Sequence, residues 1–168
     1  MTDRVRFGIA LYAPLVSGEG KHWALAVSDK NTLTGRLNVY QIVYARDSTH
    51  THKKYELAHS IVEDHKGAVL QNSRRFYGVI DLGTVQCSYD HVCASIEEQP
   101  ADQHHYPLPA GKEWSCAWWV IRALRELQKT HVNFPVTLPA HDLDLYNHVV
   151  VQLSEAIAAS HTKTVTYH

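Results

Sequence analysis

Two stretches of this chain carry side chains whose type and position suit nucleophilic chemistry. The first is "AGKEWSCAWWVIRAL", residues 110–124, where Cys116 stands at the start of an apolar helical pattern. Ser115 is a good N-cap, which puts Cys116 in the first helical turn. The backbone N–H groups there lack intrahelical partners, and the positive end of the helix dipole favours a thiolate over a thiol. The same N–H groups can donate to an oxyanion that forms on an attacked carbonyl. A cysteine in such a place is either a packed core residue, as cysteines commonly are, or a nucleophile with part of its oxyanion hole built in.

A cysteine nucleophile needs a base. The chain has 13 histidines, and His22 stands apart from the rest because it opens the apolar run "HWALAV". At period two its ring lines up with Ala24 and Ala26, whose small side chains leave it space. His50, His52, His104 and His105 lie in polar segments, and His148 lies on the polar side of the last helical pattern. The pairs "HTH" and "HH" do not have zinc-ligand spacing, and no HExxH occurs, so neither a metal nor any other cofactor is expected. Cys93 falls on the apolar face of a short helix and Cys87 at a strand end. Three cysteines at irregular spacing, without CxxC, make no disulfide framework. They suit a reducing, cytoplasmic setting.

The elements that must position Cys116 and His22 can be read from periodicity and punctuation. Strands are expected over 5–12, 21–28, 36–45 and 74–85, while 55–64 is ambiguous between strand and short helix. Ser88 caps a helix over 89–98. A long connection rich in Pro and Gly leads to the Cys116 helix, which runs to about Lys129. Arg122, Arg125, Glu126 and Lys129 mark its wet face, opposite Cys116, Trp119, Ala123 and Leu127. "HVNFPVTLPAH" reads as a loop or short strand, and a last amphipathic helix covers roughly 143–159. Arg4 and Arg6 before "FGIALYAPLV" weakly imitate a leader. Asp3 and Pro14 argue for a first strand instead.

"KHWALAV", a hairpin, a third strand and, much later, "SCAWWVIRALREL" together resemble the circularly permuted papain-like fold. Its members include permuted NlpC-type hydrolases and lecithin retinol acyltransferase-like (LRAT-like) proteins. The resemblance covers about 7–44 and 110–128. It implies an α+β fold in which an antiparallel sheet packs against a Cys-bearing helix and additional helices. It also implies a cysteine-dependent acyl-transfer enzyme, either hydrolase or acyltransferase, with Cys116 as nucleophile and His22 as base. The third position falls on Gln41 of "VYQIV", which aligns with the family's Val-x-His. Asn38 is its rival, and the two point to opposite faces of their strand. Ser115 stands where Asn is common in the family. Trp23, Trp114 and Trp119 lie close in sequence to the pair and are candidates to line an apolar acyl or peptide groove. The alternative is a non-catalytic binding or effector protein on the same fold.

Composition narrows the remaining choices. A length of 168 residues suits a single domain over 1–168. Hydrophobic content of 45% with 20% charged residues is that of a globular chain. A net charge of −1 and a pI near 6.9 give no electrostatic case for nucleic acid as main partner. No transmembrane segment is expected. The expected partner is a small-molecule, lipid or peptide acyl substrate, and nothing in the sequence sets the oligomeric state.

Overall fold

The computed structural model describes residues 4–14, 20–33, 37–44, 55–62, 75–130, 134–160 and 162–168. The turn around Gly18, the end of the β2–β3 connection and the polar segment with His50 and His52 lie outside these. The architecture is α+β. Among the described residues, six strands form one sheet in the order β4-β3-β2-β1-β5-β6: β1 (Arg4–Tyr12), β2 (His22–Ser28), β3 (Leu37–Tyr44), β4 (Tyr55–Val62), β5 (Phe76–Gln86) and β6 (Thr164–Thr166). Residues 55–62, ambiguous in sequence, are a strand because Tyr44 and Tyr55 open a full antiparallel register between β3 and β4.

β1 lies between β2 and β5, and both its faces are covered. Phe7, Ile9 and Leu11 are buried on one face and Ala10 on the other, so the strand reads as a nearly continuous apolar run. The larger core lies on the face of Phe7, Ile9, Trp23 and Leu25, against the helices. A smaller cluster on the other face holds Ala10, Ala24, Ala26, Leu37 and Val39.

α1 (Tyr89–Glu97) starts at Ser88, whose hydroxyl accepts from the His91 amide at 3.4 Å. α2 (Cys116–Thr130) packs on β2 and β3. α3 (Asp142–Asn147), a π-helical stretch (His148–Leu153) and α4 (Ser154–Ala159) follow one another without a break. The single amphipathic helix expected over 143–159 therefore changes its winding in the middle. The Ser154 hydroxyl donates to the Val150 carbonyl there, a local bond that competes with the regular ladder.

Two further expectations are corrected. The sheet is not wholly antiparallel, because β6 pairs with β5 in parallel. Only three residues long and alternating with threonine, β6 leaves no periodic signal. Its neighbour Tyr167 is buried and donates its amide to the Asp81 carbonyl at 2.9 Å. Residues 134–141 take the loop form, one of the two expected for this stretch. Arg122 is not on a wet face. It is 6% exposed, and its guanidinium donates to the carbonyls of Pro100, Asp102 and Gln103, tying the 99–115 connection to α2.

Candidate active site

The site forms where the β2–β3 ladder opens. Those two strands are paired only over Leu25–Val27, so the His22 end of β2 has parted from β3. The first turn of α2 meets the strand there, and the Trp23 amide donates to Cys116 Sγ at 3.4 Å. This sets the sulfur at the peptide that joins His22 to Trp23. An N–H pointed at sulfur favours its anionic form, as the helix start does. The Ser115 carbonyl accepts the first helical bond, from the Trp119 amide at 3.1 Å. Ser115 is thus the N-cap, and the Cys116 amide stays outside the helical ladder.

His22 and Gln41 meet across the same opening. His22 Nε2 lies 2.6 Å from Gln41 Oε1. An amide oxygen only accepts, so Nε2 carries the proton and Nδ1 keeps the lone pair. Continuing the β2–β3 register past Leu25↔Tyr40 sets Gln41 opposite Ala24, on the face that His22 shares. The diagonal contact follows from that parity. Asn38 points the other way, and its amide donates to Cys93 Sγ at 3.3 Å. Alternation places His22 and Gln41 on the face away from α2, while Cys116 approaches from the helix side. Only the parted ladder lets one cavity reach both.

That cavity has a volume of about 970 Å³, a size that suits a small-molecule ligand. Cys116, His22, Gln41 and Trp23 all line it, and so does Ser115. His22 is half-buried, and its pKa is lowered below the ordinary 6.5 mainly by desolvation. The Gln41 hydrogen bond opposes that shift, and the Arg75 charge adds to it. The imidazole is therefore neutral at neutral pH.

Of the three tryptophans expected to line a groove, only Trp23 reaches the cavity. Its indole is one end of a stack in which Tyr146 lies between Trp23 (5.7 Å, 9°) and Trp118 (4.9 Å, 15°). Trp119 is fully buried in the core. The Trp114 ring turns to the 99–115 connection, donating to the Ala101 carbonyl at 2.8 Å beneath the Arg122 guanidinium. Its carbonyl accepts from the Tyr55 hydroxyl at 3.1 Å, which ties β4 to the entry of α2.

Residues the sequence did not single out form much of the wall: Tyr12, Tyr55, Arg75, Tyr77 and Tyr146. Burial pushes the Tyr12 phenol up to about 12 and raises Tyr55 as well, so both stay neutral hydrogen-bond donors. Tyr55 could have been found by pairing "YELAHSIV" with β3, since Tyr44 and Tyr55 are register partners. Tyr146 adjoins the apolar line of Leu145 and Val149. For Tyr12, Arg75 and Tyr77 no local pattern exists.

Among the described residues, no group of three or more His, Cys, Asp or Glu side chains could hold a metal ion. No helix among them is long and apolar enough to cross a membrane. No family model, curated protein or solved structure matches the chain.

Proposed function

We propose that the protein is a cysteine-dependent acyl-transfer enzyme of the permuted papain-like kind, with Cys116 as nucleophile, His22 as base and Gln41 as the group that orients His22. The observation that carries this reading is the meeting at one opened ladder. Cys116 Sγ is hydrogen-bonded at the peptide following His22, and His22 is hydrogen-bonded to Gln41, inside one cavity. With Nε2–H held by Gln41, Nδ1 is the ring atom left to take the thiol proton.

In the first half-reaction Cys116 gives its proton to His22 Nδ1, and the sulfur bonds to the carbonyl carbon of an ester, thioester or amide. The Cys116 amide donates to the resulting oxyanion. The bond to the leaving group then breaks, and His22 returns the proton to it. A thioester on Cys116 remains. In the second half, His22 takes a proton from water, an alcohol or an amine as that acceptor attacks the thioester carbon. The carbon–sulfur bond breaks, and the sulfur recovers its proton from His22. Water makes the protein a hydrolase, and another acceptor makes it an acyltransferase.

The test is capture of the thioester. Wild-type protein mixed briefly with p-nitrophenyl octanoate should gain one octanoyl group, located on Cys116 by mass spectrometry. Cys116→Ala should gain none and release no nitrophenol above background. Nitrophenol release that persists in Cys116→Ala would overturn the proposal.

A further inference from the structure

We infer that the Tyr146 hydroxyl is the second oxyanion donor of the site, acting with the Cys116 amide on the attacked carbonyl oxygen. The inference rests on the acyl-transfer reading and adds a catalytic residue to it.

Among the described residues, the cavity wall holds the tyrosines Tyr12, Tyr44, Tyr55, Tyr77 and Tyr146. Most are committed elsewhere. Tyr55 donates to the Trp114 carbonyl at 3.1 Å, and Tyr77 to the Ser154 carbonyl at 3.3 Å. Tyr44 is 50% exposed, and its hydroxyl lies 2.9 Å from that of Tyr55. Tyr12 is the register partner of His22, which sets its ring on the sheet face away from α2. Tyr146 remains, on the helix side with Cys116. Its hydroxyl has no hydrogen-bond partner among the described residues, and it is accessible rather than sealed in the core.

The Tyr146 ring is fixed beside the reacting atoms. It stacks with Trp23 at 5.7 Å and with Trp118 at 4.9 Å. Trp23 also donates its amide to Cys116 Sγ, and Trp118 lies two residues beyond Cys116 in α2. The residues that flank the sulfur thus flank this ring. The Lys112 ammonium, 5.4 Å from the ring centre, steadies it from the turn before α2. A donor held this way needs no reorganisation when charge develops.

As the sulfur bonds to the carbonyl carbon, the C=O π pair moves onto the oxygen. That oxygen accepts from the Cys116 N–H and the Tyr146 O–H, and the phenol keeps its proton. When the pair returns to re-form C=O, the leaving-group bond breaks and the leaving group takes the proton held by His22. Attack on the thioester builds the same oxyanion, so both halves of the reaction gain. A planar ground-state carbonyl carries less charge and gains less.

Tyr146→Phe keeps the ring and removes only the hydroxyl. Its kcat for p-nitrophenyl octanoate should fall about 10²-fold, with KM within about twofold of wild type and the urea midpoint unchanged. Octanal adds to Cys116 as a hemithioacetal whose oxygen takes the oxyanion place, whereas octanamide stays planar. Calorimetric titration should show octanal weakened about tenfold in Tyr146→Phe and octanamide by about twofold or less. A folded Tyr146→Phe with wild-type kcat, or equal weakening of the two ligands, would overturn the inference. So would a Tyr146→Phe that fails to fold, since the hydroxyl would then hold the structure and not the oxyanion. Failure of the acyl-transfer reading shows separately, as wild-type protein that gains no octanoyl group on Cys116.

Discussion

Cys93 and Cys116 are each held by an N–H donor from the sheet, yet their surroundings differ in every respect that governs reactivity. Cys93 sits within α1, 9% exposed, and receives its hydrogen bond from the Asn38 side chain at 3.3 Å. Cys116 sits in the first turn of α2, half-buried at a cavity, and receives its bond from the Trp23 backbone at 3.4 Å. A mid-helix cysteine has the neighbouring amides already committed to the ladder. At a first-turn cysteine they lie outside the ladder. The two polar residues of β3 divide in the same way: Asn38 serves the packed cysteine, and Gln41 serves the histidine that precedes the peptide bonded to the half-buried one. Local backbone position and strand parity, not residue type, separate a structural thiol from a candidate nucleophile.

Substitutions at both cysteines give the sharpest contrast. Cys116→Ala is expected to abolish ester turnover and labelling by a thiol-directed acylating probe while leaving the unfolding midpoint near wild type. Cys93→Ala is expected to keep full turnover and lose about 1–3 kcal/mol of stability in urea, because the buried Asn38 amide loses its acceptor. If Cys93→Ala lost turnover without losing stability, the division would fail.

The β3 partners extend the comparison. His22→Ala should lower kcat/KM about 10²–10⁴-fold, the usual span for a positioned general base. Gln41→Ala should cost about tenfold, the worth of one neutral hydrogen bond that fixes a tautomer. Asn38→Ala should leave kcat/KM within about twofold of wild type, since stability effects at a site remote from the chemistry do not alter the reacting groups. Steady-state kinetics on the three folded variants would rank them.

A smaller effect separates the two influences on His22 itself. Its lowered pKa puts the acid limb of kcat/KM below pH 6.5. Gln41 raises that pKa and Arg75 lowers it. The limb should therefore move to lower pH in Gln41→Ala and to higher pH in Arg75→Gln. The same lowered pKa makes stability fall as pH drops from 6.5 toward the folded-state value, because the unfolded chain binds a proton there that the native one does not. Shifts in the same direction in both variants would contradict the assignment.

The sequence showed the parts of this site that are local. A strand headed by His22, a helix capped by Ser115 and begun by Cys116, and the opposite parity of Asn38 and Gln41 are all readable from period and punctuation. What it hid arises from distance along the chain. Tyr12, Arg75 and Tyr146 share one wall although they belong to β1, the approach to β5 and α3. No window of sequence contains all three. Arg122 was misplaced because helical periodicity equates charge with solvent. The guanidinium instead lies among three loop carbonyls, whose arrangement depends on the folded 99–115 connection. Trp119 looked available because tryptophans cluster near Cys116, but three residues on from Cys116 its ring turns into the core. The opening of the β2–β3 ladder, on which the whole site depends, leaves no trace in residue type at all.

The central claim is that Cys116 and His22 act as a pair. The pH dependence of Cys116 alkylation by iodoacetamide, followed by peptide mass spectrometry in wild type and His22→Ala, tests it directly. The paired site should give an inflection below pH 6.5 in wild type that His22→Ala abolishes. A single inflection near the ordinary free-thiol value of about 8.5, identical in both proteins, would contradict it.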